Sequence, residues 1–161
     1  MTKIDWLPDL MLLAAFGGDW KTYEDALYRQ YEADFRKARI TYDGFPVNLK
    51  RHPLSMGRDA TFWHLISEGK SEEDRIPDMR RCERIAWPGA ILRNANQPAV
   101  TAWRNVRGSE ERVVLWVEEV DYLVVLAART GYYVLWTAYL TDRAHTRRKL
   151  QKERELWRGE K

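Results

Sequence analysis

Apolar residues recur at spacings of three and four along "DWKTYEDALYRQYEADFRKARI" (19–40). Trp20, Tyr23, Leu27, Tyr31, Phe35 and Ala38 therefore share one face of a predicted helix. Asp19 stands directly before it as the expected N-cap. Upstream, "PDLMLLAAF" (8–16) is short and almost wholly apolar. It predicts another helix, ended by Gly17 and Gly18, whose backbones tolerate a left-handed terminus.

The period then shortens. "YDGF" (42–45) predicts a tight turn, with Asp-Gly supplying positive φ, and "VNLKR" a short alternating strand. "HPLSMGRD" reads as a loop, and "ATFWHLI" (60–66), rich in aromatic and branched residues, as a second strand. "EGKSEEDRIPD" (68–78) is a polar, mobile connection. Pro77 suits the first turn of a helix over "PDMRRCERIAW" (77–87), and "WPGAILRNANQPAV" (87–100) reads as irregular.

The last third carries four strand patterns: "TAWRNV", "ERVVLWVE", "DYLVVLAA" and "YYVLWTAYL". The connections "RGS", "EVD" and "RTG" are short enough for hairpins, so an antiparallel meander is expected. "VVLWV" and "YLVVLAA" are apolar without alternation, which predicts cover on both faces of the central strands. The N-terminal helices can cover one face; the cover of the other is left open. "DRAHTRRKLQKERELWRGEK" closes the chain as a basic helix started by Thr141 or Asp142. The expected fold class is α+β: N-terminal helices on a mostly antiparallel sheet, with a closing C-terminal helix, in a single domain over 1–161.

The 161 residues suit one domain with an ordinary core. A single cysteine, Cys82, excludes an internal disulfide. No basic-then-apolar leader opens the sequence. The longest apolar run falls short of the roughly 18 residues of a membrane span. A cytoplasmic protein without membrane contact is expected. Net charge is +3, yet residues 143–161 hold eight Lys and Arg against three Asp and Glu, so the basic excess is a C-terminal feature. A local cationic stripe fits either a phosphate-bearing partner or a solvated helix face.

No P-loop, dinucleotide fingerprint or nucleophile-elbow pattern occurs. His52, His64 and His145 are the only histidines, none with a His or Cys within five positions, so no local metal pattern exists and no cofactor is expected. On a strand, Phe62, His64 and Ile66 share one face, and Trp63 and Leu65 the other. His64 is then either packed against backbone or an acid–base group on a groove floor. In "YYVLWTAYL", Tyr133, Leu135, Thr137 and Tyr139 share a face, opposite Trp136, Ala138 and Leu140. The Thr137 and Tyr139 hydroxyls require partners, which a groove shared with His64 would supply. His145, Arg148, Lys149 and Lys152 form one helical stripe, with Arg143 and Arg147 beside it. His145 near a helix start, with Arg147 or Arg148, can hold a phosphate. Two imidazoles flanking a phosphodiester can act as base and acid, since a pKa of about 6.5 keeps both forms available. Arg81, with Arg80 and Arg84, can clamp phosphate charge or form surface ion pairs with Glu72, Glu73 and Asp74. Lys50 is an alternative base or a phosphate contact, Arg51 a further substrate contact and Trp63 an aromatic one. Cys82 is either a reactive thiol or a buried structural one.

Helices first, an antiparallel sheet after, a histidine in "FWHL", a closing strand with "TAY" and the basic "HTRRKL" beyond it: this organisation resembles the barnase–EndoU–colicin–RelE superfamily of small metal-independent ribonucleases, in particular its phage- and prophage-associated branch. The resemblance spans roughly residues 40–150. It implies RNA cleavage by 2′-hydroxyl attack on an exposed sheet face, with His64, Thr137 and Tyr139 as catalytic residues. Arg81 and His145 have no secure counterpart, because catalytic residues vary among branches. RNA is the implied substrate, and an antitoxin or immunity protein an implied partner. The chain departs from a secreted toxin, having no delivery region. The alternative expectation is a non-catalytic nucleic-acid- or protein-binding module of a phage or mobile element.

Overall fold

A computed structural model describes residues 4–69, 71 and 74–158, of Arg158 the backbone alone. In chain order it contains a 3-10 turn (Leu13–Phe16), α1 (Trp20–Glu32) running into a π-helical turn (Ala33–Lys37), β1 (Thr41–Tyr42) and β2 (Phe45–Leu49). Next come α2 (Ala60–Ile66), β3 (Ser67–Glu68), β4 (Ile76–Pro77), α3 (Met79–Glu83) and α4 (Trp87–Arg93). The chain continues through β5 (Thr101–Arg107), β6 (Glu110–Val117), β7 (Tyr122–Arg129), β8 (Tyr132–Leu140) and α5 (Ala144–Arg158). The architecture is α+β. Among the described residues no helix is long and apolar enough to cross a membrane.

The main sheet has six strands in the order β1-β2-β8-β7-β6-β5. β5 to β8 form the expected antiparallel meander. β2 joins β8 in parallel, over Val47–Leu49 and Tyr133–Leu135 only. The β1–β2 turn takes the left-handed geometry that Asp-Gly predicts, with φ of 51° at Asp43 and 83° at Gly44.

Both faces of β6 and β7 are covered, as their unbroken apolar runs require. One face packs on Tyr23, Leu27 and Tyr31 of α1, Phe62, Leu65 and Ile66 of α2, and Ile91 of α4. On the other, Trp103, Val114, Trp116, Leu123 and Val125 meet Leu150 of α5. α5 is the cover that the sequence pattern left unidentified. It is pinned electrostatically as well: Arg147 and Arg154 pair with Glu118, and Trp103 Nε1 donates to Glu153 at 2.9 Å.

Five expected elements differ. Residues 60–66 are helical rather than extended. Phe62, Leu65 and Ile66, at spacings of three and four, are all buried, while Trp63 and His64 are half-buried, so the burial period is helical. Residues 8–16 form an extended strap with only its last four residues in a turn. Its backbone is tied group by group: Pro8 O to Trp87 Nε1, Met11 O to the Tyr23 hydroxyl, Met11 N to Glu83 O. Residues 87–93 are a buried helix. Pro88 lies in its first turn, and Gly89 permits close approach, since a Cβ there would stand 3.2 Å from Asp34 Cβ. Pro77 lies in β4 rather than in a helix; Asp78 caps α3 by accepting from Arg80 N and Arg81 N. α5 starts at Ala144, because both expected caps are engaged elsewhere: Thr141 Oγ1 accepts from Trp116 Nε1 and Asp142 pairs with Arg80. Lys70, Glu72 and Glu73 of the polar connection, and residues 159–161 of the closing helix, lie outside the described residues.

Asp59, fully buried before α2, accepts from the Tyr31 hydroxyl at 2.9 Å and from Arg36 at 2.5 Å, so it ties α1 to α2. Removing one member of a buried charged pair strands the other. Asp59→Ala is expected to lower stability by about 3–5 kcal/mol in urea unfolding; a loss below about 1 kcal/mol, the surface-pair value, would contradict this role.

Candidate active site at the junction of α2, α3 and β8

The short parallel pairing of β2 leaves the outer edge of Trp136–Leu140 without a neighbouring strand among the described residues, and α2 and α3 pack there instead. The start of α2 is fixed by strand-like bonds: Ala60 N donates to Arg51 O at 3.1 Å and Thr61 N to Lys50 O at 2.9 Å. Thr61 Oγ1 accepts from Lys50 N at 2.7 Å and lies 3.4 Å from Leu135 O.

The end of α2 is held by side chains from α3 and β8. Carbonyls of a helix's last turn lack intrahelical partners and need others. Arg81 Nη1 donates to His64 O at 3.2 Å and to Ser67 O at 2.8 Å. Thr137 Oγ1 donates to His64 O at 3.4 Å, across 73 positions of sequence. Ile66 O accepts from Asp78 N at 2.8 Å, with Cys82 Sγ at 3.6 Å. The Arg81 guanidinium also lies 5.7 Å from the centre of the Tyr139 ring. Of the expected catalytic residues, His64, Arg81, Thr137 and Tyr139 thus meet at one corner. His64 is there on a helix rather than a strand, and the Thr137 and Arg81 contacts are to its carbonyl.

β8 reaches this corner through a bulge. Val125 is opposite Thr137 and Leu126 opposite Leu135, so Trp136 is an extra residue. The expected common face of Tyr133, Leu135, Thr137 and Tyr139 is therefore broken. Tyr133, Leu135 and Ala138 enter the first core, whereas Trp136 and Tyr139 pack against the second cluster. Burial raises the pKa of the Tyr139 phenol, opposed by Arg112 and Arg107. At neutral pH Tyr139 accordingly keeps its proton and can donate it to a hydrogen bond.

The substrate-binding candidates divide. Lys50 Nζ stands 5.6 Å over the Trp136 ring beside the corner. Arg51 is largely exposed and lies 3.5 Å from Asp59. Trp63 braces the preceding loop through Nε1 to Ser55 O at 3.0 Å. Arg147 is engaged with Glu118 and Asp121 and packs over Trp116, so its charge is neutralised within the fold. His145, Arg148 and Lys149 are exposed along α5, whose ion pairs run to Glu118, Asp121 and Arg107. Cys82 is fully buried and its thiol is pushed up to about 12, first by burial and then by Asp78, which answers for the structural reading of that cysteine. Arg112 and Trp136, beside the corner, were not singled out by strand alternation. The available signal is length, nine residues in β8 against eight in β7.

Arg81→Ala is expected to cost about 1–3 kcal/mol, by leaving carbonyls without their donor, and to speed amide exchange in α2; unchanged stability and exchange would show that the guanidinium does not brace the helix. Cys82 is expected to resist iodoacetamide in the folded protein at pH 8 and to react fully in urea; rapid native alkylation would contradict its burial. Comparison with family models, with curated protein sequences and with solved structures returns no match to this chain.

Proposed function

We propose that this chain cleaves RNA by attack of a ribose 2′-hydroxyl on the adjoining phosphodiester, without a metal ion. The observation that carries the reading is the convergence on one corner of His64, Arg81, Thr137 and Tyr139 from three separate segments: Arg81 and Thr137 donate to the His64 carbonyl at 3.2 and 3.4 Å, and the Arg81 guanidinium lies 5.7 Å from the centre of the Tyr139 ring. Of these, His64, Thr137 and Tyr139 are the residues that the ribonuclease resemblance selects independently of any contact.

The division of labour follows from the chemistry of each group. The His64 imidazole takes the 2′-hydroxyl proton as general base. The 2′ oxygen forms its bond to phosphorus, the bond from phosphorus to the 5′ oxygen breaks, and a 2′,3′-cyclic phosphate results. The Tyr139 phenol, kept protonated by burial, supplies a proton to the departing 5′ oxygen. Lys50 and Arg51 offer charge to the phosphate. Arg81 and Thr137 are positioning residues, since their polar atoms hold the last turn of α2 that carries His64. An RNA-cleaving enzyme acting in its own host requires restraint, and an antitoxin or immunity protein is the corresponding partner.

A second reading has its own support. Arg81 and Thr137 are engaged with carbonyls and Arg147 with Glu118 and Asp121, an arrangement that serves architecture. A nucleic-acid- or protein-binding module of a phage or mobile element needs no more than this.

Purified protein incubated with bulk tRNA and mRNA in EDTA is expected to fragment the RNA. His64→Ala is expected to reduce the rate at least a hundredfold, the usual share of a general base, with its unfolding midpoint preserved. Intact RNA with wild-type protein, or equal cleavage by a folded His64→Ala variant, would overturn the enzymatic reading; binding without cleavage would establish the module.

A further inference from the structure

The part of the second sheet face next to the His64 corner carries an indole between two cations. Trp136, the extra residue of the β8 bulge, is half-buried at the margin of the second cluster. Beside it lies a hollow of about 270 Å³, lined by Arg107, Glu110, Arg112, Ala127 and Trp136. The hollow exists because Ala127 stands opposite Arg112 in register, with Val134 opposite it on the other side, and carries only a methyl group.

The charges around it are unequal. Glu110 accepts from both terminal nitrogens of Arg129, at 2.9 and 3.2 Å, and Arg107 donates to Glu153 at 3.3 Å, so each has a partner. Arg112 has no side-chain hydrogen bond or carboxylate partner among the described residues, and its Nε is buried without an acceptor. The exposed Lys50 side chain lies over the face of the Trp136 ring, at 5.6 Å, and has no carboxylate partner among the described residues. A half-buried guanidinium without an anion is costly to keep, and a bound anion removes that cost.

We infer that this hollow is a nucleotide subsite, in which a base stacks on Trp136 and a phosphate lies between Arg112 and Lys50. Indole stacking accepts any base, and the flanking cations take the backbone charge. A bare phosphate would leave the indole unused, and an apolar ligand would leave both cations unpaired. Lys50 now lies over the ring and moves aside as the base arrives, remaining near its phosphate. Thr137, the next residue along β8, reaches the His64 carbonyl, so the subsite adjoins the corner. In assigning it to an RNA strand, the inference rests on the cleavage reading above; a free nucleotide has the same chemistry.

A fluorescently labelled single-stranded DNA oligonucleotide separates the two, since without a 2′-hydroxyl it binds but is not cut. Anisotropy titrations are expected to show binding by the wild type, weakened about tenfold by Trp136→Ala, the loss that removal of one stacked base produces. Arg112→Gln and Lys50→Gln are expected to weaken it to a similar degree, and Trp136→Phe to retain most of it. Competition by adenosine monophosphate would extend the site to free nucleotides; failure to compete, with the variants still weakened, would confine it to strands. Should Trp136→Ala unfold, the Arg112 and Lys50 variants decide. Unaltered binding by the folded variants, no binding by the wild type, or displacement by a polyglutamate peptide as effective as by excess unlabelled oligonucleotide would overturn the subsite. RNA cleavage by a wild type whose variants bind DNA normally would sink the subsite and leave the enzyme standing; loss of binding in the variants, with no cleavage by the wild type, would do the reverse.

Discussion

The organisation of this protein turns on an edge. β2 pairs with β8 for only three residues, and the rest of β8 presents an outer edge that no strand among the described residues fills. An open edge leaves backbone donors and acceptors unsatisfied and invites pairing with other chains. Here the seven residues of α2 occupy the position, although a helix so short has no stability of its own. It persists because both ends are tied to neighbours. Its first N–H groups donate to the carbonyls of Lys50 and Arg51, and its last carbonyls accept from Arg81, Thr137 and Asp78. The same ties that close the sheet fix the backbone of His64. Edge cover and placement of the His64 backbone are one construction.

A second constraint is electrostatic. Most of the arginines near the core face a carboxylate: Arg36 with Asp59, Arg58 with Glu24 and Asp25, Arg147 and Arg154 with Glu118. Hydrogen bonds from Gln151 and Arg154 hold the Glu118 carboxyl below its ordinary range, so it remains charged at neutral pH and anchors α5 on the second face. Arg112 and Lys50 stand apart from that pattern, and both lie beside Trp136 and the α2–β8 corner. The net excess of positive charge, concentrated by sequence in the last helix, is in space partly neutralised there.

Elements with one strong period were legible from residues alone: α1 with its Asp19 cap, the Asp-Gly turn and the four-strand meander. Elements decided by tertiary contact were not. "ATFWHLI" has strand-like composition, yet the space beside β8 and the donors of Arg81 and Thr137 make it a helix. "WPGAILR" contains two apparent breakers, which a first-turn proline and a close helix contact accommodate. At the candidate site, the residue types of His64, Thr137 and Tyr139 stand out in the sequence, while the contact of Thr137 with the His64 carbonyl does not. A single extra residue in β8 reverses strand parity after Trp136, and apart from the length of the strand no local pattern announces it. The stripe of His145, Arg148 and Lys149 was legible as a helix face and lies exposed.

These features together describe a corner that fixes the backbone of His64 beside a cationic, aromatic stretch of sheet. The chemistry assigned to it makes the 2′ oxygen the nucleophile, which leaves its mark on the products whatever the sequence cut. End-group analysis of RNA treated with the protein in EDTA is the most direct measurement. The account predicts 2′,3′-cyclic phosphates with matching 5′-hydroxyl ends; 3′-hydroxyl ends paired with 5′-phosphates, the signature of attack by water, would contradict it.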